Sequence, residues 1–209
     1  MRLLIMGATG RMGGHFVEEA LRRGHLVTAF VRSPDKLTTT HPNLRVVAGN
    51  ARDAAALAAV MPGHDAVLSA LGARKAGETY DLFEVAVANA IAAMDSAGVK
   101  RILVIASAGI LQRDATTLRR DAPGYPEAFR TASGAHWDAY QRLVASDLDW
   151  TVLCPPELEE RPAGPYVAQA DYLPEGPKRI AMPSAAAFAL DAVEQGTWLH
   201  QRVGIADRP

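Results

Sequence analysis

Short, continuous apolar runs alternate with longer amphipathic stretches from the start of the chain. Leu3, Leu4, Ile5 and Met6 carry no polar side chain between them, the pattern of a strand covered on both faces, and Gly7 ends the run. From Arg11 onward Met12, Phe16, Ala20 and Leu21 recur at helical spacing, while Arg11, Glu18, Glu19, Arg22 and Arg23 fall elsewhere; Gly24 supplies a stop. The opening thus predicts strand, turn and amphipathic helix. Further strands are expected over 25–31, 44–48 and 66–69, with Asp53 placed to cap an alanine-rich helix between the last two.

Tyr80 to Ala97 reads as a helix whose Phe83, Val87, Ala90, Ile91 and Met94 share a face, with Gly98 at its end. A fifth strand follows over 101–107, then a long loop with one irregular helix over 109–134, a helix over 136–146 and a sixth strand over 150–154. Pro155 and Pro156 stop that strand, and the six prolines from Pro155 to Pro177 predict irregular surface structure. A helix over 184–195 and a short strand over 202–205 complete the chain. Strands and helices in alternation, joined by right-handed crossovers, predict an α/β fold with a doubly wound parallel sheet. Residues 1–209 are read as one domain, with ligands at the carboxyl ends of the strands and with 109–134 and 155–177 as acceptor-pocket walls.

Composition narrows the partners. With 22 Lys and Arg against 23 Asp and Glu, the formal charge of −1 offers no field for nucleic acid or an anionic membrane. The longest uncharged stretches, 102–112 and 180–190, are too short to span a bilayer, and 3–6 is too short for a signal-peptide core. Cys154 is the single cysteine, so neither a disulfide framework nor a cysteine metal cluster can form, which fits a cytoplasmic location. It is read as a small core residue. The six histidines show no metal-ligand spacing, so no metal site is expected.

Gly7-Ala8-Thr9-Gly10-Arg11-Met12-Gly13 lies between a predicted strand and a predicted helix. In that context glycine allows a positive-φ turn and a close backbone approach to a pyrophosphate, and the following helix presents unpaired N–H groups and its positive end. The sequence therefore predicts a dinucleotide site. An NAD enzyme places Asp or Glu at the end of the second strand to accept from the ribose hydroxyls. Here Arg32 stands there, with Ser33 and Lys36 close behind, and two cations suit a 2′-phosphate, so NADP(H) is the expected cofactor.

These residues, together with 31–37, Ser69-Ala70-Leu71-Gly72, 99–102 and 148–156, resemble the atypical short-chain dehydrogenase/reductases. The resemblance is to the NAD(P)H-binding, Rossmann-like branch that contains flavin reductase, biliverdin-IXβ reductase and NmrA-like proteins. It implies that Gly7 to Met12, including Ala8, Thr9, Gly10 and Arg11, hold the pyrophosphate, and that Arg32 and Lys36 hold the 2′-phosphate. Asn50 and Ala51 would flank the adenine, while Leu71, Gly72 and Arg74 line the second half of the cofactor. Ser107 would sit by the nicotinamide, with Pro155, Pro156 and Glu157 closing over its carboxamide. Two positions depart from the family pattern: Asn50 stands where its Asp is usual, and Glu157 follows the paired prolines where a histidine would.

Short-chain dehydrogenases that oxidise alcohols use Tyr-x-x-x-Lys, whose ammonium lowers the tyrosine pKa. Four residues after the five tyrosines stand Glu84, Phe129, Val144, Ala170 and Gly176, none of them lysine. Hydride transfer to an acceptor that takes its proton from water needs no such pair. The reading is an NADPH-dependent reductase acting on a small conjugated, flavin- or tetrapyrrole-like acceptor, with Ser107 to orient and His136 to supply a proton. A non-catalytic redox-sensing regulator that binds NADP(H) is the alternative, and an epimerase or dehydratase relative the second.

Overall fold

The computed structural model describes residues 1–72 and 81–209. Strand β1 (Arg2–Met6) passes through the glycine turn into helix α1 (Arg11–Arg22), followed by β2 (Leu26–Val31), β3 (Leu44–Ala48), α2 (Ala54–Val60) and β4 (Ala66–Ser69). Helix α3 (Leu82–Ala97), strand β5 (Arg101–Ile105), helix α4 (Arg130–Val144) and strand β6 (Asp149–Cys154) keep the alternation. Then come β7 (Glu157–Glu159), β8 (Tyr166–Ala170), β9 (Arg179–Ala181), helix α5 (Met182–Glu194) and β10 (Gln201–Asp207).

The main sheet has eight strands in the order β3-β2-β1-β4-β5-β6-β10-β8. Every neighbouring pair is parallel except β10 with β8, which closes one edge antiparallel. Alternation along the central strands decides which helices cover which face. Leu4 and Met6 of β1, Val67 of β4 and Ile102 and Val104 of β5 pack with α2, α3 and α4. Leu3, Ile5, Leu68, Leu103 and Ile105 pack on the other side with α1 and α5. Leu3 to Met6 are all 0% exposed, so truncating one of them to Ala would cost about 2–5 kcal/mol.

Local chemistry sets the boundaries. Asp53 caps α2, its carboxylate accepting from the Ala56 N–H at 3.1 Å, and Gly98 ends α3 with φ at 70°. The strand order reverses between β1 and β4, which run parallel: β1, β2 and β3 are added toward one side of the sheet and β4, β5 and β6 toward the other. That switch point opens a crevice at the carboxyl ends of the strands. Among the described residues no helix is long and apolar enough to cross a membrane.

Two stretches differ from the sequence expectation. Helix α4 begins at Arg130 rather than 136, directly after a 3-10 turn over Glu127–Phe129, because Pro126 precedes a helical stretch instead of extending the loop. The segment 155–177 is not wholly irregular: β7 and β8 lie within it, and β9 follows it. Its prolines stand between these strands and not inside them, so they delimit short strands without abolishing them. Residue 80, the expected start of α3, lies outside the described residues.

Candidate nucleotide and acceptor cavities

The turn after β1 is shaped by two glycines. Gly7 has φ at 79°, and a Cβ on it would come within 2.6 Å of the Ala70 carbonyl oxygen. A Cβ on Gly13 would lie 2.1 Å from the Gly7 oxygen, so α1 can pack onto the turn only with glycine there. The Gly10 N–H donates to the Gly7 carbonyl at 2.8 Å and closes the turn. Gly10 itself is the N-cap, so the start of α1 has no side-chain cap, and its first turn has no acidic residue. Unpaired N–H groups and the positive helix end therefore face the crevice, with no side-chain cap and no first-turn carboxylate to neutralise them.

A cleft of about 810 Å³ runs from this turn along the sheet edge. Gly7, Thr9, Gly10, Arg11 and Met12 form one wall, and Arg32, Asn50, Ala51, Leu71 and Gly72 border it further on. Ala8 lies behind the turn, 1% exposed in the core. Lys36, on the exposed 3-10 turn Pro34–Lys36, is not among the residues bordering the cleft. The Asn50 side chain accepts from the Arg52 N–H at 3.1 Å, so it serves its own loop. Arg74 lies outside the described residues.

A second cavity of about 910 Å³ adjoins the first. Arg11, Ala132 and Leu158 border both, so the two are neighbours that share a wall. Ser107, Pro155, Pro156 and Glu157 line this second cavity. The Ser107 hydroxyl stands 3.2 Å from that of Ser133, which stands 2.6 Å from the Tyr125 phenol. In each pair either oxygen can donate, so the three hydroxyls form a reversible hydrogen-bonded chain. A Cβ on Gly109 would sit 2.3 Å from the Ser133 oxygen and 2.4 Å from the Tyr125 oxygen, which is why this chain can close only over a glycine.

His136 borders the first cleft from the second turn of α4, with its ring 4.1 Å from that of Phe83. Burial pushes its imidazole down to about 4. Its Nδ1 is buried and has no hydrogen-bond partner among the described residues. Burial thus favours the neutral imidazole, which keeps one donor and one acceptor nitrogen. Tyr140 borders only a small side cavity, and its phenol is pushed up by burial, against the pull of the Arg202 guanidinium 5.1 Å from its ring. Cys154 is wholly buried, and burial likewise pushes its thiol up.

Sequence reading missed Tyr125 and Ser133. The signal was present: Ser133, His136, Trp137 and Tyr140 keep the spacing of one helix face, which extends α4 back through Gly134.

A family model described as NAD(P)H-binding matches residues 7–196. An uncharacterised Bacillus subtilis protein, YwnB, is 32% identical over 169 residues, covering 78% of this chain and 75% of its own. A Streptococcus pneumoniae structure provisionally named an NADH-flavin reductase is similar with a TM-score of 0.86 and 28% identity, over 100% of both chains. A Bacteroides thetaiotaomicron structure provisionally named an epimerase is similar with a TM-score of 0.89 and 26% identity, over 100% of this chain and 97% of that one.

Proposed function

Because the chain belongs to the NAD(P)H-binding family, in an atypical short-chain dehydrogenase/reductase-like branch, we propose that it is an NADPH-dependent reductase of a small conjugated acceptor. The observation that carries this reading is the adjacency of the two cavities, the cleft beside the glycine turn sharing Arg11, Ala132 and Leu158 with a space lined by hydroxyls. The name given to the pneumococcal neighbour supports a flavin-like acceptor.

The residues present fit a dinucleotide. The uncapped start of α1 would hold the pyrophosphate, Arg32 the 2′-phosphate, and Leu71 and Gly72 the second half of the cofactor. The bound nicotinamide supplies a hydride. Ile105, Ala106 and Met182 give that end of the cleft an apolar floor that keeps water from the transfer path. Ser107 orients the acceptor, and Ser133 and Tyr125 hold its hydroxyl in place. A conjugated acceptor spreads the added charge and takes its proton from water, so no Tyr-x-x-x-Lys pair is required. The chain has none.

Steady NADPH consumption with FMN or dichlorophenolindophenol is the expected result. Tight NADPH binding without consumption by either acceptor would overturn the reductase reading in favour of a sensor. Turnover of a sugar nucleotide without net NADPH loss would overturn it in favour of an epimerase.

A further inference from the structure

The second cavity carries a charge pattern that its hydroxyls do not explain. Arg11, Arg113, Arg119 and Lys178 line it, against one carboxylate, Glu157. The chain as a whole has a formal charge of −1, so this excess is local. Among the described residues none of the four is ion-paired. Arg11 reaches the Leu158 carbonyl at 3.3 Å, Arg113 the Pro123 carbonyl at 3.4 Å and Lys178 the Pro174 carbonyl at 3.5 Å. These are long contacts that leave most of each cation's donors over. Arg119 is only partly exposed, and its Nε is buried with no acceptor. A guanidinium drawn out of water without a carboxylate is costly unless an anion completes it.

Arg11 also borders the nucleotide cleft and is accounted for by the cofactor. Arg113 and Arg119, from one segment, and Lys178, from another far along the chain, border the second cavity and not the first. We propose that these three residues select an acceptor bearing an anionic oxygen group, a carboxylate or a phosphate, and hold it there while its conjugated part faces Ser107. This rests on the reading of the second cavity as the acceptor site. It adds what that reading leaves open, the chemical class of the acceptor.

FMN and riboflavin share one ring system and differ by a phosphate monoester, so they isolate the anion. At saturating NADPH, kcat/KM for FMN should exceed that for riboflavin by about tenfold or more, the scale of one charge-assisted contact. The advantage should shrink with added salt, and Arg113→Gln with Lys178→Gln should bring FMN down to the riboflavin level. Arg119→Gln alone should do so in part. A flavin with a carboxyalkyl chain on N10 tells carboxylate from phosphate: equal advantage means a general anion site, and advantage for one identifies that group. Reduction of FMN and riboflavin at equal efficiency, with the carboxyalkyl flavin no better, overturns the anion site while leaving the reductase. If no flavin is reduced, the reductase reading fails for flavins, and titration of the same ligands into the NADP⁺-loaded protein decides. Tighter binding of either anionic flavin, lost in the double variant, supports the site; equal or absent binding overturns it.

Discussion

The two edges of the sheet use the same residue types in opposite ways. At the amino edge charged groups satisfy one another. Arg23 donates to Glu19 at 2.8 Å, Asp191 at 2.7 Å and Glu194 at 2.8 Å, and the other oxygen of Glu194 meets His25 at 2.5 Å. Arg101, at the start of β5, is satisfied by neutral groups instead: it donates to the carbonyls of Asp149, Ala192 and Thr197 and to the Thr151 hydroxyl, and among the described residues only its Nε lacks a partner. At the carboxyl edge, among the described residues, Arg113 and Lys178 reach only carbonyls, Arg119 has a buried orphan Nε and His136 a buried orphan Nδ1, and α1 starts without a side-chain cap. An edge whose charges are mutually satisfied holds the fold together. An edge that keeps them unsatisfied is organised around something the chain does not itself supply.

Variants should separate these roles, and the amino edge gives the largest expected effect. Arg101→Ala removes the donor to several buried oxygens and should lower stability by about 3 kcal/mol in urea unfolding, with NADPH affinity of the folded protein unchanged. Wild-type stability in that variant would show that the amino edge is not the structural one. Arg32→Ala at the carboxyl edge should do the converse. It should weaken NADPH by about 1.5–3 kcal/mol while leaving NADH affinity alone. Equal affinity of the wild type for NADH and NADPH would remove Arg32 from cofactor choice.

His136 gives an intermediate effect that pH reveals. With its imidazole at about 4 in the folded chain against an ordinary 6.5, the unfolded chain binds a proton that the folded chain refuses. Stability should therefore fall as pH drops from about 6.5 toward 4, and level off below. His136→Phe, which keeps an aromatic ring against Phe83, should flatten that part of the profile. An unchanged slope would mean that the imidazole is not held neutral by burial.

The smallest effect is expected at Tyr140. Its phenol is pushed up by burial and it borders only the side cavity, so Tyr140→Phe should leave turnover within a few-fold of the wild type. Ser107→Ala, which breaks the hydroxyl chain, should cost more, toward the lower end of the roughly 10²–10⁴-fold typical of groups acting at the reacting centre. A collapse in Tyr140→Phe with Ser107→Ala unaffected would reverse the assignment.

The repeating half of the fold was legible because its signals are local. Continuous apolar runs specified β1 and β4 closely, the Val46-Val47 pair marked β3, and Asp53 and Gly98 marked helix ends through backbone chemistry that depends on one residue. The glycine turn was readable for the same reason: Gly7 and Gly13 are required by backbone contacts within the turn and its flanking strand loop. The acceptor side was less legible. Ser133, Tyr125 and Ser107 meet across separate elements, and no spacing in the sequence announces a hydroxyl chain closed over Gly109. Arg113, Arg119 and Lys178 look like ordinary surface cations until the fold puts them around one cavity. His136 appears at the start of a helix in the sequence but stands half-buried on the second turn of α4, against Phe83.

Hydrogen exchange followed in three states, free, with NADPH, and with NADP⁺ plus FMN, tests most directly the claim that the carboxyl edge is the ligand-binding one. NADPH should protect the glycine turn and the start of α1, residues 7–14, together with residues 49–51. FMN should add protection over 109–134 and 155–178, beyond the effect of the cofactor. Ligand-dependent protection at the amino edge instead, around residues 22–25 and 97–100, would contradict the account.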